Sequence, residues 1–380
     1  HVIEEFKELD IKQQKFASLR VKLQLDSKRP DSNGSMGGEE SILRKEDGKK
    51  RKFKSVRRLF AEIPHLLMDM KPCLLMSPLA VSQYLHPELY EFDTVIFDEA
   101  SQIKTQDAVS SILRAKQSII VGDKKQLPPT TFFEASESDE DYDSFVGDDE
   151  EDSGVLDTYE SVLEEASLIF PSPTLRWHYR SRYEQLIMFS NSELYDNALI
   201  TFPSHTQNYP NTGVEFVYVQ NGIYDKGKSR KNLIEAEKVA DLIFEHFTNF
   251  PNRSLGVVTC SQSQQQCIED VLEKRRDQNR IYERFFDESK EESFFIKNIE
   301  TVQGDERDTI FFSIGYGPST LHGPVPMMFG PINRLGGERR LNVAITRAKE
   351  NVKPLVNSNT LPFFVTPVIA FPAPKISPFS

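Results

Sequence analysis

Asp98 and Glu99 are adjacent carboxylates that close a short apolar run, Val95-Ile96-Phe97. One carboxylate can hold Mg²⁺ through its water shell while its neighbour polarises an attacking water, the pairing that hydrolysis of a nucleoside triphosphate requires. The run is apolar on both faces and too short for a helix, so it reads as a buried parallel strand. The two acids then stand at its carboxyl end, the edge at which open α/β sheets hold ligands. Taken alone, the same letters fit a strand that runs into a solvated acidic turn.

More blocks follow downstream. A helix-like segment, Ala108 to Ala115, leads to a second apolar strand, Ser118-Ile-Ile-Val121, which opens into Gly122-Asp-Lys-Lys-Gln-Leu-Pro-Pro-Thr130. Gly122 permits a tight turn, the Gln126 amide can bond both a water and a phosphate oxygen, and the proline pair stiffens the exit. Beyond it lie Leu175-Arg-Trp-His-Tyr-Arg-Ser181, Glu300-Thr-Val-Gln-Gly-Asp-Glu-Arg-Asp308 and Arg340-Leu-Asn-Val-Ala-Ile-Thr-Arg-Ala-Lys349. In this order the five blocks resemble motifs II to VI of the superfamily 1 helicases, and most of all the branch that contains the nonsense-mediated-decay helicases. The resemblance covers about residues 70 to 350.

That resemblance implies an α/β chain with two RecA-like P-loop NTPase domains on parallel sheets, and an ATP-dependent helicase or translocase using ATP and Mg²⁺ on single-stranded DNA or RNA. By position it makes Asp98 the metal ligand, Glu99 the water-activating carboxylate and Gln126 the γ-phosphate sensor, with Gly122 and Asp123 in the nucleotide-binding turn. Arg180 and Arg347 would meet the γ-phosphate, Arg347 as an arginine finger, a task suited to a guanidinium that stays charged and grips phosphate oxygens bidentately. Gly304 would let the backbone approach the nucleotide, Glu306 would bond the ribose, and Ser77, Pro78 and Thr301 would touch the nucleic-acid backbone. Asp305 is more acidic than the residue the family usually has there.

One expected piece is absent. Gly222-Ile-Tyr-Asp-Lys-Gly-Lys-Ser229 fits G-x-x-x-x-G-K-[ST] letter for letter, yet it follows the Asp-Glu strand instead of preceding it and its interior is bulky and charged. It reads as scaffold before an Asn232-to-Ala236 helix start. No other Gly-Lys-Ser or Gly-Lys-Thr occurs, so the first domain is expected to be incomplete, which would require an upstream P-loop segment or a partner chain. The alternative to a truncated helicase is an inactive remnant that binds nucleic acid or protein on the same scaffold.

The remaining sequence sets the boundaries. Residues 1–60 read as a helical and basic insertion or linker: apolar residues at helical spacing to about residue 25, a loop over 26–42, then nine Lys or Arg among the fifteen residues Arg44 to Arg58. Residues 61–133 form the distal part of the first domain, in which Cys73 to Met76 reads as a buried strand and Ser77-Pro78 as a capped helix start. Residues 134–165 are an acidic linker, with thirteen Asp or Glu and no Lys or Arg between Glu134 and Glu160. Residues 166–350 form the second domain, with Ser254 to Thr259 as a central strand, Trp177 as a packing residue and Cys260 as a small buried apolar group. Residues 351–380 form an atypical tail, whose six prolines between Pro354 and Pro378 argue against a central strand.

Composition agrees. With 380 residues and 38% hydrophobic content there is enough for two cores, and no apolar run is long enough to span a membrane. Three cysteines without metal-ligand spacing fit a reducing intracellular setting, cytoplasmic or nuclear. A net charge of −12 argues against a general nucleic-acid coat but leaves room for a local basic groove.

Overall fold

The computed structural model describes residues 2–28, 38–129, 161–203, 210–227, 229–321, 323–324, 329–333 and 336–357. The acidic run and the tail beyond Asn357 lie outside them. The chain divides into two compact units, residues 1–122 with 133–169, and residues 123–132 with 170–380.

The first unit begins with a long helix, α1 (Val2–Ser27), none of whose residues is buried. Four short helices follow: α2 (Glu39–Asp47), α3 (Val56–Glu62), α4 (Pro64–Met70) and α5 (Pro78–Tyr84). They are tied by buried polar groups, since the Tyr90 hydroxyl donates to the Phe60 carbonyl (2.8 Å) and Arg114 Nε to the Leu85 carbonyl (3.0 Å). Next come β1 (Phe92–Phe97), α6 (Thr105–Ile112), β2 (Ala115–Ile120) and α7 (Val162–Ile169). β1 and β2 pair in parallel, Val95 opposite Ser118 and Phe97 opposite Ile120.

This sheet differs from the buried strand expected. Phe97, Ala100, Ala108 and Val162 form a small core on one face, with Val95 and Ile120 packed against it. On the other face Ile96 is 64% exposed. The apolar run is therefore half-buried, and the letters could not show it because burial is set by neighbouring elements. Two further expectations fail here. Residues 72–77 form no strand, and Cys73 and Leu75 are exposed, since among the described residues no β-strand lies alongside to take up their backbone hydrogen bonds. The helix placed over Ala108–Ala115 lies at Thr105–Ile112, because Ala115 already belongs to β2.

The second unit is a parallel sheet with helices on both faces. Its elements are α8 (Gln185–Glu193), β3 (Gly213–Val214), β4 (Val217–Tyr218), α9 (Leu233–Asn249), β5 (Leu255–Thr259), α10 (Gln262–Gln278), β6 (Phe295–Asn298), β7 (Arg307–Ser313), α11 (Gly337–Ile345) and β8 (Ala348–Val356). The strand order is β3-β8-β7-β5-β6, with β4 also on β8. Alternation along the strands fills two cores. Val257, Phe311 and Leu355 point to α9 and α10, where they meet Ala236, Val239, Ile243, Phe247, Ile268 and Leu272 at helical spacing. Val258, Ile310, Phe312, Val352 and Val356 point the other way, against Leu186, Leu341, Val343 and Ala344 of α8 and α11. Each such fully buried aliphatic side chain stabilises the fold by roughly 1.5–3 kcal/mol. Asn232 caps α9 and Ser261 caps α10, accepting from the Glu235 N–H (3.1 Å) and the Gln264 N–H (3.2 Å).

β8 corrects the reading of the tail. Pro354 lies inside it, and the chain remains a strand to Val356, between β7 and the β3–β4 edge. The Val352 carbonyl accepts from the Glu215 N–H and the Val356 carbonyl from the Val219 N–H. Residues 352, 354 and 356 thus turn their backbone groups toward that edge, and Pro354 falls where β3 gives way to β4. The missing donor is placed at a break in the ladder, where it costs little.

Candidate functional site

In the first unit, Asp98 and Glu99 follow directly on β1, Asp98 exposed and Glu99 partly so. Glu99 has φ +52°, a left-handed conformation that a non-glycine residue holds only when its surroundings impose it. Its N–H donates to Asp98 Oδ1 at 3.0 Å, and a short 3₁₀ turn (Ala100–Gln102) follows at once. Gly122, just beyond β2, comes so close to this turn that a Cβ there would stand 3.1 Å from the backbone nitrogens of Ala100 and Ser101. The glycine is needed to bring the second strand's exit beside the two acids. Two carboxylates satisfy what Mg²⁺ takes from protein, which is one or two such ligands with waters and phosphate oxygens completing the shell.

Ser77 caps α5, its Oγ accepting from the Ala80 N–H at 3.3 Å, and Pro78 is the helix's first residue. The capping expected of this pair is present.

The loop after Gly122 is held within the second unit. Asp123 accepts from the Tyr195 hydroxyl (Oδ2, 2.6 Å) and from Gln126 Nε2 (3.2 Å). Asn342 Nδ2 donates to the Tyr195 oxygen (3.0 Å) and to the Lys125 carbonyl (2.8 Å), and Gln303 Nε2 approaches Gln126 Oε1 at 3.4 Å. Burial first, and then the Asp123 charge, push the Tyr195 phenol up, so it remains a donor at all ordinary pH. Three sequence blocks, those with Gln126, Gln303 and Asn342, thus converge on one loop. Sequence reasoning missed Tyr195, which stands in no motif, and Asn342, whose only signal was its place five residues before Arg347. Tyr195→Phe removes one hydrogen bond each from half-buried Asp123 and buried Asn342, which keep only their bonds to Gln126, the Lys125 N–H and the Lys125 carbonyl, and is expected to lower the second unit's stability by about 1–3 kcal/mol, read as a shifted urea midpoint with unchanged slope.

Arg180, Glu306 and Lys349 form a chain of ion pairs. Arg180 Nε lies 2.9 Å from Glu306 Oε2, and Lys349 Nζ lies 3.2 Å from Glu306 Oε1 and 2.6 Å from Glu292 Oε1. Burial pushes the Glu306 carboxyl up, but Lys349 and Arg180 outweigh it and hold it below the ordinary range. The turn presenting Arg180 is pinned by His178, whose Nε2 accepts from the Ser181 N–H (3.2 Å). Burial, and then Arg180, lower the His178 pKa and keep the ring neutral for that task. Trp177 is 59% exposed and leans on Phe202 with ring centroids 5.2 Å apart, so its packing is a surface contact.

Gly304 has φ +89°, and a Cβ there would meet nothing within 4 Å. The backbone needs glycine, and the space above it is open. Thr301 is exposed and bonds back to Asn298 (Oδ1, 3.1 Å). Arg347 is only 2% exposed; its Nε donates to the Val343 carbonyl at 2.9 Å and Nη2 reaches Thr346 Oγ1 at 3.2 Å.

The stretch 222–229 is built unlike a phosphate cradle. Asp225 accepts from both the N–H (3.1 Å) and the hydroxyl (2.9 Å) of Ser229, so a carboxylate occupies the place of an anion. Helix α9 starts only at Leu233, under the Asn232 cap. Lys228 itself lies outside the described residues.

At the carboxyl edge of the sheet, Glu235 is completely buried. Its Oε1 contacts Ser313 Oγ (2.6 Å) and the Gly315 N–H (2.9 Å), and its Oε2 contacts Asn357 Nδ2. Burial raises its pKa above 4.5 although the hydrogen bonds oppose this. A raised folded-state pKa means stability fully present below the unfolded value and lost as pH climbs through the folded one. The urea midpoint should therefore fall with pH from the mildly acidic range upward, and Glu235→Gln should flatten that slope; Asn357, whose Oδ1 has no partner, can flip to receive the new amide.

A family model described as an AAA domain matches residues 159–359, and a second of the same description matches residues 14–134. The chain is 35% identical over 314 residues to an uncharacterized ATP-dependent helicase of Mycoplasma genitalium, covering 80% of this chain and 25% of that protein. It is 28% identical over 288 residues to helicase sen1 of Schizosaccharomyces pombe, covering 71% of this chain and 15% of that one. The chain thus spans about a quarter or less of the length of these relatives. An arterivirus helicase solved with DNA aligns over 71% of this chain and 41% of its own at 12% identity, with a TM-score of 0.33.

Proposed function

The chain belongs to the superfamily 1 ATP-dependent helicases, in the branch of the nonsense-mediated-decay helicases, and from that premise we propose that it works in ATP-driven movement along single-stranded nucleic acid. The observation that carries the reading is the Arg180–Glu306–Lys349 cluster beside the open face of Gly304, which gathers cations and a carboxylate from blocks far apart in sequence. This suits a site that must meet both phosphate and ribose.

In this reading Asp98 holds Mg²⁺, which when bound neutralises charge on the phosphates. Glu99 orients and deprotonates the attacking water. Gln126 senses the γ-phosphate through its amide, kept in place by Asp123, Tyr195 and Asn342. Arg180 leaves Glu306 for phosphate, which releases one Glu306 oxygen for the ribose hydroxyls, while Lys349 keeps the other in position. Gly122 and Asp123 shape the turn beside the nucleotide, and Gly304 admits it. Ser77, Pro78 and Thr301 contact the nucleic-acid backbone. No helix among the described residues is long and apolar enough to cross a membrane, and an intracellular place of action goes with this substrate class.

The test is nucleotide binding and hydrolysis with and without single-stranded DNA or RNA, with the P-loop segment that the chain requires supplied upstream of it. Stimulation of hydrolysis by nucleic acid that is lost in Glu306→Ala and kept in Lys228→Ala is the expected result. Hydrolysis that depends on Lys228 would instead make 222–229 the phosphate loop and overturn the assignment of sites.

A further inference from the structure

We infer that α1 is a self-association helix that pairs antiparallel with α1 of a second copy of this chain. The helix contributes nothing to either core: none of its residues is buried, and Val2 (77% exposed), Phe6 (69%), Leu9 (57%), Phe16 (67%), Leu19 (54%) and Leu23 (69%) all face solvent. At helical spacing these six lie along one stripe, the pattern of a helix that packs on another helix.

The stripe is its own mirror image. Val2 pairs with Leu23, Phe6 with Leu19 and Leu9 with Phe16 about one midpoint, between Lys12 and Gln13. Two such helices laid antiparallel with their midpoints together set each of these six residues opposite another, while the exposed Ile3, Ile11 and Val21 lie off the stripe and mirror Lys22, Gln14 and Glu4. A helix of 26 residues is about 39 Å long, enough for three heptads of contact.

The charges follow the same midpoint with opposite sign. Residues 2–11 carry Glu4, Glu5, Glu8 and Asp10 against Lys7, a net −3, while the mirrored residues 14–23 carry Lys15, Arg20 and Lys22 and no acid, a net +3. Antiparallel pairing brings each acidic half against a basic half, and parallel pairing brings like against like. Glu5 mirrors Arg20 and Asp10 mirrors Lys15. Glu5 and Arg20 also fall within the apolar stripe, so they meet across the seam and fix its register. A two-fold contact of this kind needs one patch complementary to itself, which is what these residues supply.

The experiment is sedimentation equilibrium of the full chain over a range of micromolar concentrations, with surface charge reversals that leave both cores untouched. The unsubstituted chain should approach twice its 43.6 kDa. Glu5→Arg alone and Arg20→Glu alone should each halve the mass, their equimolar mixture should restore it, and so should the double reversal Glu5→Arg/Arg20→Glu in one chain. Restoration by the double reversal is specific to the antiparallel register, because parallel pairing would still set like charges together. A mass that remains monomeric at every concentration, as when α1 packs on another segment of its own polypeptide, overturns the proposal. So does a dimer indifferent to Glu5→Arg and to Phe16→Glu.

Discussion

With an upstream P-loop segment supplied, Glu99→Gln is expected to abolish ATP hydrolysis, by about 10²–10⁴-fold, while nucleotide binding survives. The substitution keeps the side chain's size and hydrogen-bonding reach but removes the basic oxygen that takes a proton from water. It also leaves the backbone as it is, since the left-handed φ of +52° is no harder for Gln than for Glu and the Glu99 N–H still finds Asp98 Oδ1. The side chain is partly exposed and lies outside the small core of Phe97, Ala100, Ala108 and Val162, so stability should hardly change. Single-turnover hydrolysis beside equilibrium binding of a fluorescent nucleotide separates the two effects. Equal loss of binding and hydrolysis would show that Glu99 holds the nucleotide and does not activate water. Full retention of hydrolysis would remove Glu99 from the chemistry altogether.

How far such residues could be found from the letters depends on which interactions fix them. β5 and β7 were legible because both their faces are buried in this fold, and a near-continuous apolar run such as Ile310-Phe-Phe312 admits little else. Val95-Ile96-Phe97 carries the same kind of letters yet packs on one side only, because cover is a property of neighbours and not of the strand. Pro354 misled for a related reason: whether a missing donor matters depends on what lies across the ladder, and there the ladder is broken. The motif residues could be placed in sequence by their pattern. Their restraints could not, for Tyr195 acts through one hydroxyl aimed at Asp123 across a long stretch of chain, and no local pattern announces such a contact. Glu235 is similar: in sequence it is an ordinary acidic residue in the first turn of a capped helix, and only the approach of Ser313, Gly315 and Asn357 makes it a buried, hydrogen-bonded acid.

Arg347→Ala should have the largest effect of all, because it acts on two separable quantities. An arginine that meets developing charge on the γ-phosphate is worth about 10³–10⁵ in turnover, so hydrolysis should vanish even at saturating nucleotide. The same guanidinium is 2% exposed and donates to the Val343 carbonyl near the end of α11, where helix carbonyls lack partners of their own. Its removal therefore also costs roughly 1–3 kcal/mol of stability through the lost hydrogen bond to that carbonyl, which keeps only the longer one from Thr346 Oγ1 (3.3 Å), and the space left behind. Arg347→Lys divides the two contributions: a lysine restores charge and part of the volume but not the planar fork that grips phosphate oxygens in pairs. If the residue acts on phosphate, the lysine variant should recover most of the urea midpoint and almost none of the hydrolysis. If its work is only to close α11 onto β8, stability and activity should recover together. In the conformation described, the guanidinium is turned onto its own helix, and a phosphate would have to draw it away from Val343. Nucleotide should then raise hydrogen exchange at the end of α11 in the unsubstituted chain and leave the alanine variant unchanged, a result that a purely structural arginine cannot produce.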